Sequence, residues 1–493
     1  MPSTESVAAL AARYEALAYA ALPHPPTHPA HLAAMATVFG LDVPGVQRCR
    51  VLEVGCSDGA NLLAMAATLP DAHFVGCDVA PGAIEAARAA AEGAGLRNVT
   101  LCCEDLAALD PARGTFDFIV AHGVYSWVPA PVRDALFALA RERLAPGGVL
   151  YVSYNVLPGY RMRQAACEMV RRQVDAIVDP RQRLTATRSF ARLLADGARS
   201  QYASEDGLRA ELRAIAQSSD SDLFHDDFAI VNEPVWFRDF AAHAARCGLA
   251  WLAEADLHTM LAGGLAPGAL QWLATLDVLV REEHVDLLRQ RRFRQSLLRR
   301  AQDVPSAAPF APGRVAALDA YAQPPLLQAA AAGNLDTLAG QLAPQASTAA
   351  AGLLEDLVAC APAALPVAEA YARLTSAGPG MQAQSVLRDA CMGGLVGLHA
   401  PGGVALARAS SPAARPRTSG LARWQASRQP MVTSLRQLPV RLPESLRQLL
   451  VLLDGTRDRP ALAAALSAQG AMDSAARVER MLDELGRSAF LLA

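Results

Sequence analysis

Residues 51–63 read VLEVGCSDGANLL. A short apolar run leads into a turn that holds Gly55 and Gly59, and helix-forming residues follow from about Asp58 to Asn61. The stretch therefore predicts a strand, a bend and a helix, with a backbone that a ligand can approach closely because the two glycines lack Cβ. A dinucleotide site would show GxGxxG with an acid about 20 positions on. Asp78 stands at roughly that offset from Gly59, but the glycines are four apart with Ser57 between them. The bend taken alone leaves the kind of nucleotide open.

The same pattern continues on both sides. Arg50 to Val54, His73 to Cys77, Val99 to Cys103, Phe116 to Ala121 and Val149 to Tyr154 are short apolar runs bounded by turn or cap residues, with Ala-rich amphipathic stretches between them. Five such repeats predict an α/β fold with a parallel sheet covered by helices. Open sheets of this kind bind ligands beyond the carboxyl ends of their strands. In FVGCDVAPGAIEAAR, Asp78 closes the second strand, where its carboxylate can accept two ribose hydroxyls or cap the helix that begins at Pro81. In VTLCCEDL, Glu104 and Asp105 follow the third strand, positioned either to bond an adenine amine or to sit in a solvated turn. TFDFIVAHGVYSWVP carries His122, Tyr125, Ser126 and Trp127 to the edge of the fourth strand, and LAPGGVLYVSYN ends in Tyr154 and Asn155.

Beyond this region, residues 161–230 are rich in Arg, Ala and Leu at helical spacing and read as a helical insertion. Trp236 to Cys247 reads as a helix, and NEPVWFRDF as a helix N-terminus with Pro234 in its first turn. Leu249 to Ala255 and Arg292 to Leu298 then supply the sixth and seventh strands. The Arg-rich stretch 289–300 alternates as a strand with one solvated face, contact with nucleic acid or an acidic partner being its second reading. Pro305, Pro309 and Pro312 punctuate a linker, a mostly helical segment runs from Val315 to Leu398, and Pro401, Ser410, Ser411, Pro412 and Pro416 mark a second linker. The tail begins with β-like residues Met431 to Leu442 and ends in short helices broken at Asp454-Gly455 and at Gly470. The expected divisions are 1–160, 161–230, 231–302, 303–417 and 418–493.

Composition narrows the chemistry. A chain of 493 residues, 52% hydrophobic and 19% charged, has material for several ordered domains. Its net charge of −3 offers no general attraction to nucleic acid or anionic lipid. All 45 basic residues are arginine, which excludes Schiff-base chemistry and a Walker-type phosphate lysine. Nine cysteines without a CxxC or Cys/His cluster argue against a metal site and fit a reducing, cytoplasmic compartment. The N-terminal residues carry Glu5 and Glu15 without a basic region and read as a helix, and no apolar run reaches the length of a membrane span. The tail's Pro460 to Gln469 contains no basic residue, which disfavours DNA reading by a winged helix.

The five elements in this order, over roughly residues 50–155, resemble the class I S-adenosylmethionine-dependent methyltransferase core. THPAHLAAMATVFGL, AHGVYSWVP, SYNVLPGY, FHDDFAIVNEPVWFRDF, RRFRQSLLRR and LDGTRDRPAL extend the resemblance to bacterial methyltransferases that carry a regulatory domain, among which are rickettsial protein-lysine methyltransferases that act on outer-membrane protein. The resemblance implies a seven-stranded Rossmann-like core with a helical insertion that is a candidate dimerisation element, and additional mostly α C-terminal domains, the last winged-helix-like. Ser57 takes the middle position of the usual acidic-x-Gly-x-Gly-x-Gly motif, and the (Asp/Asn)-Pro-Pro-aromatic tetrapeptide of amino-nucleobase methyltransferases is absent after the fourth strand, which disfavours adenine and cytosine acceptors.

The implied cofactor is S-adenosylmethionine, with S-adenosylhomocysteine as product, held by Glu53, Gly55, Cys56, Ser57, Gly59, Asn61, Asp78, Val79, Glu104, Asp105, Leu106 and His122. His122, Tyr125 and Tyr154 are the expected catalytic residues. Tyr125, Trp127, Tyr154 and Tyr160 are candidates for an aromatic acceptor pocket that desolvates an amine, and their alternative reading is ordinary packing. Tyr14, Tyr19 and His28 are candidates for a lid. A protein acceptor, with lysine favoured, is the first expectation, a small-molecule or natural-product acceptor the second, and a scaffold that binds cofactor without turnover the third. No metal or nucleic acid is expected.

Overall fold

The computed structural model describes residues 21–197, 203–260, 265–344, 347–376, 383–407, 413–468 and 475–493. Seven strands form one sheet in the order β3-β2-β1-β4-β5-β7-β6: β1 Arg50–Val54, β2 His73–Asp78, β3 Val99–Cys103, β4 Phe116–Ala121, β5 Leu144–Asn155, β6 Leu249–Glu254 and β7 Phe293–Arg300. The first five run parallel, and β7 is antiparallel to both of its neighbours. Strand order reverses between β1 and β4, which opens a crevice at their carboxyl ends. β5 begins earlier than the sequence pattern marks it, at Leu144.

The strands are nearly continuously apolar because both faces of the sheet are covered. One face packs against the helix α1, Pro29–Val38, nine of whose ten residues are buried. A helix that is apolar all round has to be enclosed, and α1 is held between the sheet and the segment that contains Val315 to Leu398. That segment carries a three-stranded sheet that the helical reading missed, in the order β10-β8-β9, from β8 Asp319–Ala322, β9 Leu365–Pro366 and β10 Val396–His399. Strands of two to four residues are too short to establish a period of two in the sequence. The segment shares one continuous core with the main sheet, so the expected boundary at 303 divides the chain but not its core.

On the other face, Phe137, Phe237 and Phe240 close the core around β4 and β5. The helix Phe237–Arg246 begins three residues after Pro234, with Trp236 as its N-cap. Val235 instead makes a parallel bridge to Val156, so Pro234 lies outside the first helical turn. The insertion is helical as expected, with Arg161–Val174, Pro180–Asp196 and Ala203–Gln217 around their own apolar core. The final segment folds around a hairpin, β11 Met431–Thr433 and β12 Pro439–Arg441, with four helices among the described residues, Gly420–Ala426, Glu444–Leu452, Arg459–Ala468 and Ala475–Arg487.

β7 departs from the expectation of one solvated arginine face. Arg294 is fully buried, paired with Glu254 at 2.7 Å, Asp286 at 2.8 Å and Glu282 at 3.3 Å. Its guanidinium carbon lies 4.0 Å from the centroid of Phe237. These acids come from β6 and from the helix Val278–Arg289, so the pairing is invisible in the local alternation. No helix among the described residues is long and apolar enough to cross a membrane.

Candidate functional site

The bend after β1 is pinned to β2 by its backbone. Gly55 and Cys56 N–H both donate to the Cys77 carbonyl, at 2.8 and 3.1 Å. Gly55 sits at φ +70°, and a Cβ there would lie 2.9 Å from Val124 Cγ2. Ser57 also occupies the left-handed region, at φ 49°, where a residue other than glycine is strained. Its N–H donates to Asp78 Oδ2 at 2.9 Å, and Ala80 N–H donates to Oδ1 at 2.9 Å. The Asp78 carboxylate thus ties the bend to the start of the next helix, Pro81–Gly93, and burial raises its pKa. Each oxygen keeps a lone pair that a hydroxyl can use.

Beside this bend lies a cavity of about 610 Å³ at the carboxyl ends of β1, β2, β3 and β4, in the size range of small-molecule sites. Of the residues expected to hold the cofactor, Glu53, Gly55, Cys56, Ser57, Asn61, Asp78, Val79, Glu104, Asp105, Leu106 and His122 line it. Gly59 does not. It caps the following helix at φ 77°, and a Cβ there would meet Ala87 Cβ at 3.0 Å.

Glu53 is buried, and burial pushes its carboxyl up to about 8. Oε1 accepts from Asn61 Nδ2 at 2.8 Å, whereas Oε2 is buried without a partner among the described residues. Asn61 also donates to Thr27 Oγ1 at 3.0 Å and accepts from His24 N–H at 2.7 Å, which joins the chain before α1 to the crevice. Glu104 Oε1 accepts from Arg113 at 2.9 Å while Oε2 is a second buried oxygen without a partner. Asp105 Oδ1 caps the short turn that follows β3, accepting from Ala107 N–H at 2.9 Å. Buried acceptors left unmatched are costly. Glu53 at one part of the crevice and Glu104 at another are suited to the amine groups at the two ends of an adenosyl-methionine molecule, with Asp78 at the ribose.

His122 Nδ1 shares a hydrogen bond with the Tyr151 hydroxyl at 2.9 Å, and its ring stacks on His24 at 3.5 Å between centroids. Burial and His24 hold His122 well below the ordinary histidine range, and burial lowers His24 to about 4. Both rings are neutral near pH 7, so His122 is placed to orient a ligand and not to carry a proton as imidazolium.

The aromatic expectations divide. Trp127 lines the crevice, with Nε1 buried and unpartnered among the described residues. Tyr125 and Tyr154 lie outside it, in the core behind β5. The Tyr125 hydroxyl is 2.9 Å from His243 Nδ1, whose Nε2 is 2.8 Å from Asp134, and burial raises the phenol to about 12. Tyr154 is fully buried, stacks on Phe240 at 4.0 Å, and shares a hydrogen bond with Ser296 at 3.0 Å. Neither hydroxyl faces the cavity, so the acceptor pocket expected from these two rings is not formed.

Tyr160 lines a second cavity of about 380 Å³, together with Trp127, Asn155, Arg163, Glu211, Ala214, Asp226, Asp227, Arg292 and Phe293. Trp127, Asp226 and Phe293 border both cavities. Sequence reading passed over His24, Asp226 and Phe293 as site residues. Asp226 stood in a segment quoted for resemblance, and Phe293 in a strand read for its arginines. Tyr14 and Tyr19 fall outside the described residues. His28 is no lid: it caps α1 by accepting from Ala30 N–H at 3.1 Å and contacts Thr68 at 2.9 Å. Ala21, Leu22 and His24 do line the crevice. The described residues contain no cluster suited to a metal ion.

Comparison with known families matches residues 51–148 to a methyltransferase domain, 219–300 to a predicted methyltransferase regulatory domain and 414–487 to the PKMT C-terminal winged helix domain. An uncharacterised protein of Rickettsia prowazekii (strain Madrid E) is 33% identical over 289 residues, covering 58% of this chain and 52% of the relative. The chain thus spans about half the length of that relative. A second uncharacterised protein of the same organism is 30% identical over 238 residues, covering 47% of this chain and 94% of the relative. Among solved structures, PKMT2 from Rickettsia typhi superposes with a TM-score of 0.78 at 22% identity, covering 96% of this chain and 100% of that one. Its complex with AdoHcy gives 0.77 at 21% identity, with the same coverage.

Proposed function

This chain belongs to the S-adenosylmethionine-dependent methyltransferases related to the rickettsial PKMTs, and from that premise we propose that it transfers a methyl group to the side-chain amine of a lysine in a protein acceptor. The cofactor is S-adenosylmethionine, which supplies a methyl group on a sulfonium that any aligned nucleophile can displace.

The observation that carries the amine is the sign of the charge around the crevice. Glu53, Asp58, Asp78, Glu104, Asp105 and Asp226 line it, and no arginine among the described residues does. A cationic cofactor and a cationic acceptor both gain from that field, whereas an anionic acceptor would meet six carboxyl groups and no counter-charge. The protein as acceptor is supported by the C-terminal match to a PKMT domain and by the likeness to PKMT2 along nearly the whole chain.

This chain's own groups do the positioning. The Asp78 carboxylate, held by two backbone N–H groups, fixes the adenosyl sugar. Glu53, oriented by Asn61, receives the methionine ammonium and becomes ionised in doing so. The stacked His24 and His122 rings wall the methionine end and keep water from it. Orientation of the nucleophile behind the methyl group supplies most of the rate in such a displacement.

The test uses methyl-labelled cofactor, the purified protein and a lysine-rich acceptor protein, followed by acid hydrolysis of the product. This chain has no lysine, so any methyl-lysine recovered comes from the acceptor. Label in methyl-lysine that disappears when the acceptor's amines are acetylated is the expected result. Label retained by the acetylated acceptor, or released as methanol from carboxyl esters, would overturn the proposal.

A further inference from the structure

We propose that the second cavity is the acceptor channel, built for a primary alkylammonium group, and that the Asp226 carboxylate receives the ammonium there and takes its proton before transfer. The proposal rests on the amine reading above and adds where the amine enters and which group deprotonates it.

The cavity adjoins the cofactor crevice, with which it shares Trp127, Asp226 and Phe293 as lining residues. Its cations are already paired. Arg163 binds both oxygens of Asp227, at 2.8 and 2.6 Å, and reaches Glu211 at 3.5 Å. Arg292 pairs with Glu211 at 2.6 Å. Asp226 is the exception among the cavity's charged side chains. Its backbone carbonyl is fixed by Asn232 Nδ2 at 3.0 Å, but its carboxylate has no ion-pair or hydrogen-bond partner among the described residues. The unpartnered Trp127 Nε1 is a second group that a ligand would satisfy. The rings of Trp127 and Phe293 offer an apolar passage for methylene groups and a face for a cation.

Burial and the charges of Asp227 and Asp222 push the Asp226 carboxyl up to about 7, with Arg163 opposing. A carboxylate three units more basic than usual accepts a proton from an alkylammonium roughly a thousandfold more readily than an ordinary aspartate. The transfer then balances. The proton passes from nitrogen to Asp226, and the freed nitrogen lone pair forms the N–CH3 bond as the C–S bond breaks with its electrons going to sulfur. Asp226 afterwards returns its proton to water through the second cavity.

The test is binding, read by tryptophan fluorescence with a peptide bearing one lysine and the same peptide bearing norleucine. The wild-type protein should prefer the lysine peptide by about tenfold at pH 8, and the preference should vanish at pH 5.5 as the carboxyl is neutralised. Asp226→Asn should abolish the preference at every pH, and Asp226→Glu should restore it in part. Neutralising Asp226 removes repulsion from Asp227 and breaks no ion pair, so the variant should keep its circular dichroism spectrum and melting temperature. A preference that survives in Asp226→Asn, or that persists at pH 5.5 in the wild type, overturns the proposal whether or not lysine is methylated. An Asp226-dependent preference in a protein that puts no label into lysine supports the channel and overturns the lysine reading.

Discussion

Replacing Glu53 by Gln tests the electrostatics of the cofactor crevice most directly. The carboxyl lies at about 8 in the unliganded site against an ordinary 4.5, because burial penalises its ionised form. At ~1.4 kcal/mol for each pH unit, holding it ionised without a counter-charge costs roughly 5 kcal/mol. At pH 7 the group is therefore about nine-tenths protonated. A cationic cofactor end that pairs with Oε2 ionises it, so binding at pH 7 should release nearly one proton. Affinity should then tighten close to tenfold per pH unit between pH 6 and 7.5 and level off above 8. Titration calorimetry in buffers of different ionisation enthalpy counts the protons. Glu53→Gln keeps the Asn61 contact and cannot ionise, so its proton release should fall by almost one and its affinity curve should flatten. The raised carboxyl also contributes stability that is present in full below pH 4.5 and is lost as pH rises through 8, so the unliganded wild type should melt lower at pH 8 than at pH 5, with a smaller drop in the variant. Equal proton counts for the two proteins would refute the assignment of Glu53 to a cationic group.

Ser57→Gly should relieve the left-handed backbone at the bend and stabilise the protein by about 1 kcal/mol in urea titration, whereas Ser57→Val should destabilise it. Tyr154→Phe removes the bond to Ser296 and should cost about 1 kcal/mol of stability while leaving kcat within twofold, and Tyr125→Phe should behave alike. A thousandfold loss of kcat in either variant would return these hydroxyls to the chemistry. Arg294→Ala leaves Glu254, Asp286 and Glu282 buried beside one another without their shared cation and should cost about 3–5 kcal/mol, seen as a large drop in melting temperature.

The core strands, the glycine bend and the acids at the strand ends were legible from the chain because each depends on short-range physics. Apolar runs, turn residues and a carboxylate following a strand are local signals, and all of β1 to β4 lie where those signals put them. The opposite fates of Tyr151 and Tyr154 were not legible. They lie three positions apart on β5 and so point to opposite faces of the sheet, Tyr151 to His122 beside the crevice and Tyr154 to Phe240 in the core. Which face meets the ligand depends on how β5 pairs with β7, whose residues come more than 130 positions later. Asp226 and Phe293 likewise reach the crevice from elements far along the chain, 71 and 138 positions after the end of β5. Such convergence leaves no mark in local periodicity, because it is produced by packing between segments that meet only once the sheet has closed.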